Sequence, residues 1–455
     1  MRIGLIAMSG VRVFNPKLVA LGLTLPQFIN RGEVIAQLPS LALLILAAAT
    51  DKDIDVKYME VADVKAADAL DTSFDLVAMT SYTAMAYEMY DLADRYRAAG
   101  VPVVIGGLHA SFAVEETREH ADAVCVGEGE TLWPQILADF QRGGTAALQP
   151  VYRDPSPGSF DLGDSPMPRF EMLLGRKYNR ITVQTVRGCP LDCEFCGASK
   201  LYSPKYRRKP VDMVVSELRR IKELWGENAF FELADDNSFA NRFWAREFLT
   251  QIQDLDLRWF TETDISIADD DNLLKLLDKS GCRQILIGLE STDAGTLTGI
   301  DRANWKVKRL ANYADAIKRI QSHGVTVNGC FIVGHDGDDK GVFERLRNFI
   351  ERSELLEAQV TILTPFPGTA LLERLKAAGR LSYERLWDKC TLFDLVFEPK
   401  QMTADELVEG HAWLMSQIYT KEQYTRRKRH YVNIMKSVDL PWMQQQRESS
   451  LEFFR

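Results

Sequence analysis

The chain has 455 residues, longer than a single hydrophobic core usually serves, so two or three domains are expected. Hydrophobic residues make up 46% and charged residues 26%, the ordinary balance of a soluble globular protein. A net charge of −9 argues against nucleic acid as a general partner, because phosphate binding needs a basic face.

The first residues, Met1-Arg2-Ile3-Gly4-Leu5-Ile6-Ala7, enter a strand-like run with no longer apolar region or small-residue cleavage site behind it, which is not a secretory signal. The longest apolar stretch, Leu38 to Ala49, is broken by Pro39 and Ser40 and falls short of the roughly 20 residues a membrane span needs. A cytoplasmic protein with reduced cysteines is expected. Up to about residue 145, short β-rich runs alternate with helical ones: Arg2 to Ala7, Ile54 to Val61, Phe74 to Thr80, Val101 to Ile105 and Ala123 to Val126. That alternation predicts a parallel sheet with helices on both faces, and a ligand crevice at the carboxyl ends of its strands. The loops there hold Ser81, Gly106-Gly107-Leu108-His109 and Gly127-Glu128-Gly129-Glu130, where glycine lets the backbone approach a ligand closely.

A stretch rich in Pro, Gly, Ser and Asp, from Arg153 to Pro168, reads as a linker, placed at 146–178. The alternation resumes over 179–400 with strands expected at Ile181 to Val186, Ala229 to Ala234, Arg258 to Asp264, Arg283 to Leu289, Val325 to Val333 and Ala358 to Thr364. Six such units predict a partial (β/α)6 barrel, in which chemistry belongs at the carboxyl ends of the strands. Polar residues fall there in order: a cysteine loop, Asp235-Asp236-Asn237, Glu262 and Asp264, Glu290-Ser291, and Gly334-His335-Asp336. From about Met402 a helical pattern takes over, with a capping-box-like start at Thr403, and 401–455 is expected to be a helical extension. The basic run Arg426 to His430 reads as a solvated helix end.

The cysteine loop is Arg187-Gly188-Cys189-Pro190-Leu191-Asp192-Cys193-Glu194-Phe195-Cys196-Gly197. Soft thiolates select zinc or iron and sulfide, and a closed zinc site needs four protein ligands; no fourth cysteine and no histidine lies nearby in sequence. Three ligands suit a 4Fe-4S cluster with one iron open to a small molecule. Cys125, Cys282, Cys330 and Cys390 lie in apolar runs and read as small buried hydrophobes.

With its aromatic before the last cysteine, this spacing resembles the signature of the radical S-adenosylmethionine (SAM) superfamily. Nearly the whole chain resembles the subgroup with a cobalamin-binding domain, on Pro39-Ser40-Leu41-Ala42-Leu43, the two glycine loops, Asp235-Asp236-Asn237, Ile287-Gly288-Leu289-Glu290-Ser291 and Thr364-Pro365-Phe366-Pro367-Gly368-Thr369. The resemblance implies a Rossmann-like doubly wound sheet over 1–145 that holds cobalamin at Ser81, Gly106, Gly107, Gly127, Glu128 and Gly129, followed by the radical SAM barrel. It implies a cluster on Cys189, Cys193 and Cys196, and SAM cleaved reductively to a 5'-deoxyadenosyl radical. Phe195 should then lie near the SAM adenine, Asp235 at its amino group, and Glu290 or Glu262 at its ribose or carboxylate. The implied activity is methylation of an unactivated carbon or phosphorus of a small molecule, with a flavodoxin or ferredoxin-type electron donor. The Asp-x-His-x-x-Gly motif that gives cobalt a histidine is absent, since the first loop reads Met8-Ser9-Gly10-Val11-Arg12. A cobalamin-independent radical SAM enzyme, catalysing cyclisation, rearrangement or transfer of another SAM-derived group such as aminocarboxypropyl, is the alternative.

Overall fold

The computed structural model describes residues 1–21, 38–65, 70–197, 206–226 and 229–437. Six strands form the first sheet: β1 (Arg2–Met8), β2 (Asp55–Val61), β3 (Leu76–Thr80), β4 (Val103–Gly106), β5 (Ala123–Val126) and β6 (Val151–Arg153). All pair in parallel in the order β2-β1-β3-β4-β5-β6. Alternation along the strands explains the double cover. Ile3, Leu5, Leu76, Ala78 and Val104 pack with Leu43, Leu44 and Trp133 of the helices Leu41–Ala48 and Gly129–Gly143. Ile6, Met8, Val77, Met79 and Ile105 pack on the other face with Met89, Tyr90 and Ala93 of the helix Ala86–Ala98. Because the chain leaves β1 in one direction and reaches β3 in the other, the topological switch point lies between these two strands.

The second sheet uses β7 (Ile181–Val183), β10 (Phe230–Leu233), β11 (Arg258–Thr263), β12 (Cys282–Glu290), β13 (Thr326–Val333) and β14 (Glu357–Ile362). Its order is β14-β13-β12-β11-β10-β7, all parallel and open between β7 and β14, which is the partial barrel expected. Phe231, Leu233, Trp259, Ile285, Ile287, Val327 and Phe331 join the core formed with the outer helices. The alternate set, Glu232, Phe260, Glu262, Leu286, Gly288, Asn328 and Cys330, therefore faces inward. Cys330 is accordingly half-buried on the inner face, whereas Cys125, Cys282 and Cys390 are buried as expected.

Three details differ from the sequence expectations. The first sheet gains β6 inside the stretch expected as linker, because Val124, Cys125 and Val126 still have an open parallel edge there. The chain after β7 breaks away at Gln184, and β8 (Val186–Arg187) pairs instead with β9 (Arg207–Arg208) in an antiparallel ribbon. In the helix Lys421–Ser437, Arg427 is buried rather than solvated and donates to the carbonyls of Ile418 at 2.7 Å and Leu356 at 3.3 Å. The capping box at Thr403 forms with Glu406 and opens the helix Ala404–Ile418. Residues 438–455 of the extension lie outside the described residues. Among the described residues no helix is long and apolar enough to cross a membrane.

Candidate functional site

Three consecutive residues at the end of β10 hold the cysteine loop, because β10 lies beside β7 in the sheet. Asp235 accepts from the Thr185 amide (2.7 Å), the Thr185 hydroxyl (2.5 Å), the Val186 amide (3.0 Å) and the Ser238 hydroxyl (2.7 Å). Asp236 accepts from the Gly188 amide at 2.7 Å. Asn237 Nδ2 reaches Cys189 Sγ at 3.9 Å and is itself oriented by Thr263 and Asp264, each at 2.9 Å. From the far side, the Glu194 amide donates to Ile300 at 2.9 Å and the Arg302 amide to Leu191 at 2.8 Å. Gly188, at φ 91, makes the turn into the first cysteine, in a region most side chains avoid. Asp235 corrects an expectation: four donors fill the four acceptor sites of a carboxylate, so it supports the loop and has no site left for a SAM amino group. Burial pushes its pKa up against those donors.

The other two expected acids stand at the barrel mouth in different states. Glu290, at φ 64, sits beyond a bulge in β12, and its Oε1 lies 2.9 Å from Lys306 Nζ, both side chains being buried. Its carboxylate folds back over Gly288, where a Cβ would collide with Oε1, and this close approach accounts for the glycine in Ile287-Gly288-Leu289-Glu290. Lys306 also donates to the Gly288 carbonyl at 2.6 Å and acts electrostatically on Cys193. Sequence reasoning missed it, and no local signal marks it. The Glu262 carboxyl makes no hydrogen bond or ion pair among the described residues, while the backbone carbonyl accepts from the Ser238 amide at 3.0 Å. Burial, then Glu232 and Asp236, raise its pKa to about 7. Phe195 packs with Leu363 and Phe366 at the loop after β14, its ring centroid 6.1 Å from that of His335. Burial lowers the His335 pKa to about 4, and its Nε2 has no hydrogen-bond partner among the described residues.

At the carboxyl edge of the first sheet, Ser9 after β1 and Ser81 after β3 flank the switch point, and the Oγ of each is buried without a hydrogen-bond partner among the described residues. The glycines next to them have structural duties. Gly107, at φ 101, is the N-cap of the helix Leu108–Phe112, and a Cβ there would fall on Thr80 Oγ1. At Gly127, φ 114, a Cβ would lie 2.8 Å from Asp154 Cβ. At Gly106 and Gly129 it would meet Cys125 at 3.2 Å and Leu46 at 3.1 Å. Glu128 corrects another expectation. Its oxygens face Arg187 at 2.6 Å and Arg207 at 2.8 and 3.0 Å across to the barrel, and so are not presented to a cofactor. His109 turns between helices, its Nε2 2.9 Å from the Tyr90 hydroxyl, away from the crevice.

The residues present fit the three implied groups. Among the described residues no three His, Cys, Asp or Glu side chains converge on a single ion. A cluster spreads its thiolates over separate irons, and the amide of Asn237 at Cys189 suits a cluster ligand. Burial raises the Cys189 thiol to about 11 and the Cys193 thiol further, so iron binding must release protons. The orphan hydroxyls of Ser9 and Ser81 fit a polar ligand at the switch point, and the half-free Glu290 with unpaired Glu262 fits a polar molecule at the barrel mouth.

A model of the radical SAM superfamily matches residues 183–350, one of the B12 binding domain residues 29–137, and one of a domain of unknown function (DUF4070) residues 369–455. The chain is 29% identical over 389 residues to the bacteriochlorophyllide d C-12(1)-methyltransferase of Chlorobaculum tepidum, covering 83% of this chain and 82% of that protein. Among solved structures, the cobalamin-dependent S-adenosylmethionine radical enzyme OxsB with aqua-cobalamin bound shares the fold at TM-score 0.64 and 14% identity, over 99% of this chain and 71% of that one. The methyltransferase TsrM from Kitasatospora setae, with cobalamin and a 4Fe-4S cluster bound, gives TM-score 0.59 and 14% identity over 84% of this chain and 76% of that one.

Proposed function

We propose that this chain, which belongs to the radical SAM enzymes carrying a B12-binding domain, is a cobalamin-dependent methyltransferase acting on an unactivated carbon or phosphorus of a small-molecule biosynthetic intermediate. The observation that carries it is the meeting of the two halves: the cysteine loop of the barrel abuts the carboxyl edge of the first sheet through Arg187, Glu128 and Glu130. When bound, the cluster and SAM supply a radical and the corrinoid a methyl group. Cys189, Cys193 and Cys196 would hold the cluster. Asp235, Asp236 and Asn237 fix the loop that presents them, and Lys306 pairs with Glu290 beside Cys193. Phe195 and His335 give an aromatic wall for a base, while Glu262, a carboxyl that burial keeps about half protonated near pH 7, offers a hydrogen bond to a ligand in the barrel mouth. Ser9 and Ser81 offer hydroxyls to the corrinoid. A flavodoxin or ferredoxin-type protein would supply the electron.

The test is anaerobic reconstitution with iron, sulfide and cobalamin, followed by SAM and a reductant. About four irons per chain, retained cobalamin and formation of 5'-deoxyadenosine are expected. Alanine at Cys189, Cys193 and Cys196 together should abolish the iron. Full iron in that variant, or wild-type protein that retains no cobalamin, would overturn the proposal. Methylthioadenosine in place of deoxyadenosine would point to aminocarboxypropyl transfer.

A further inference from the structure

We infer that Arg187 and Glu128 are positioning residues that couple the cluster loop to the corrinoid crevice, so that filling either site tightens the other. The inference rests on the cobalamin-dependent function proposed above. Arg187 lies two residues before Cys189 and is continuous with the Gly188 amide held by Asp236. Glu128 and Glu130 directly follow β5, where Gly127 begins the turn into the helix Gly129–Gly143. The guanidinium spans the gap: Nη1 donates to Glu128 Oε1 at 2.6 Å and Nη2 to Glu130 Oε1 at 2.7 Å. Arg207, on the strand paired with β8, adds a second guanidinium to Glu128 at 2.8 and 3.0 Å. Gln184 accepts from Arg187 Nε at 3.1 Å and Nη2 at 2.7 Å, holding the fork from the barrel side.

The side chains of Arg187, Glu128 and Glu130 are 8%, 1% and 8% exposed. Stability alone does not explain such a network, because desolvating buried ions offsets most of their attraction and apolar side chains would serve as well. A planar guanidinium forked between two carboxylates does fix orientation. One of the loops it joins carries Cys189, Cys193 and Cys196; the other follows β5 and shares the carboxyl edge of the first sheet with Ser9 after β1 and Ser81 after β3, whose hydroxyls have no hydrogen-bond partner among the described residues. A ligand that orders one loop therefore orders the carboxylates or the guanidinium for the other. The second ligand then has less ordering to do, which is positive cooperativity, equal in both directions.

The test compares cobalamin dissociation constants of the same wild-type protein before and after cluster reconstitution. We expect cluster-loaded protein to bind cobalamin about fivefold or more tightly, and iron to resist a chelator by the same factor when cobalamin is present. Glu128→Gln keeps the shape of the side chain and removes its charge, and should bring the ratio close to one. Glu130→Gln, which removes one contact to Arg187, should lower it and serves as the second variant if Glu128→Gln does not fold. The magnetic interaction between cob(II)alamin and the reduced cluster should broaden or weaken in the same variants. A ratio of one in wild type, or a ratio unchanged in a folded variant, overturns the coupling and leaves the proposed function standing. Wild-type protein that binds no cobalamin in either state overturns both.

Discussion

Asp235→Ala decides what the acid at the end of β10 does. The substitution removes the acceptor of two amides, Thr185 and Val186, and two hydroxyls, Thr185 and Ser238. The hydroxyls can turn to other partners, since Ser238 Oγ already lies 2.5 Å from Thr261 Oγ1. The amides cannot. Each buried amide left unpaired costs about 1 to 3 kcal/mol, so the variant should lose about 2 to 6 kcal/mol. The loss falls on the segment leading to Gly188 and Cys189, and iron binding should fail before the fold does. Asp235→Asn keeps one oxygen for the two amides and should retain most of the iron. The assay is iron per chain after anaerobic reconstitution, with denaturant midpoints by circular dichroism beside it. An Asp235→Ala protein with full iron, wild-type stability and weakened SAM binding would refute this reasoning and return the residue to direct ligand contact.

Glu262→Gln should make stability less dependent on pH. Its carboxyl titrates at about 7 when folded against 4.5 for the free group, so the wild type is penalised as pH rises from about 4.5 to 7 and pays nothing below. The glutamine variant should therefore gain about 3 kcal/mol near pH 8 and roughly half that or less near pH 5.5, read from urea midpoints; an equal gain at both would contradict the burial argument. Lys306→Met leaves the buried Glu290 carboxylate without its partner and should lose about 3 to 5 kcal/mol. The double variant with Glu290→Gln should recover much of this loss in the same melts. Ser81→Ala removes a hydroxyl that has no partner among the described residues, so stability should hold while the cobalamin dissociation constant rises roughly 2- to 10-fold. Gly107→Ala should cost roughly 1 to 3 kcal/mol in thermal melts even without cobalamin, from its φ of 101 and the clash with Thr80.

Local pattern was enough for much of this protein. The strands β1, β5, β11 and β13 are buried over most of their length, so they appear in sequence as apolar runs bounded by turn residues and fall within a residue or two of where those runs lie. The cysteine triad lies within one short loop, so its fitness for a cluster is readable from ligand type and spacing, and the radical chemistry from the resemblance. What an acidic side chain does depends instead on which donors the fold brings to it. Asp235 reads as a ligand until strand order places β10 beside β7 and fills its oxygens with Thr185, Val186 and Ser238. Glu128 reads as part of a cofactor loop until Arg187, 59 residues on, meets it across the gap between the sheets. Lys306 carries no pattern at all, being one of two lysines on the short helix Trp305–Arg309 until the bulge in β12 turns Glu290 toward it. Hydrophobic periodicity is written along the chain because burial is a property of one element, whereas ion pairs and saturated carboxylates belong to pairs of elements that tertiary packing brings together.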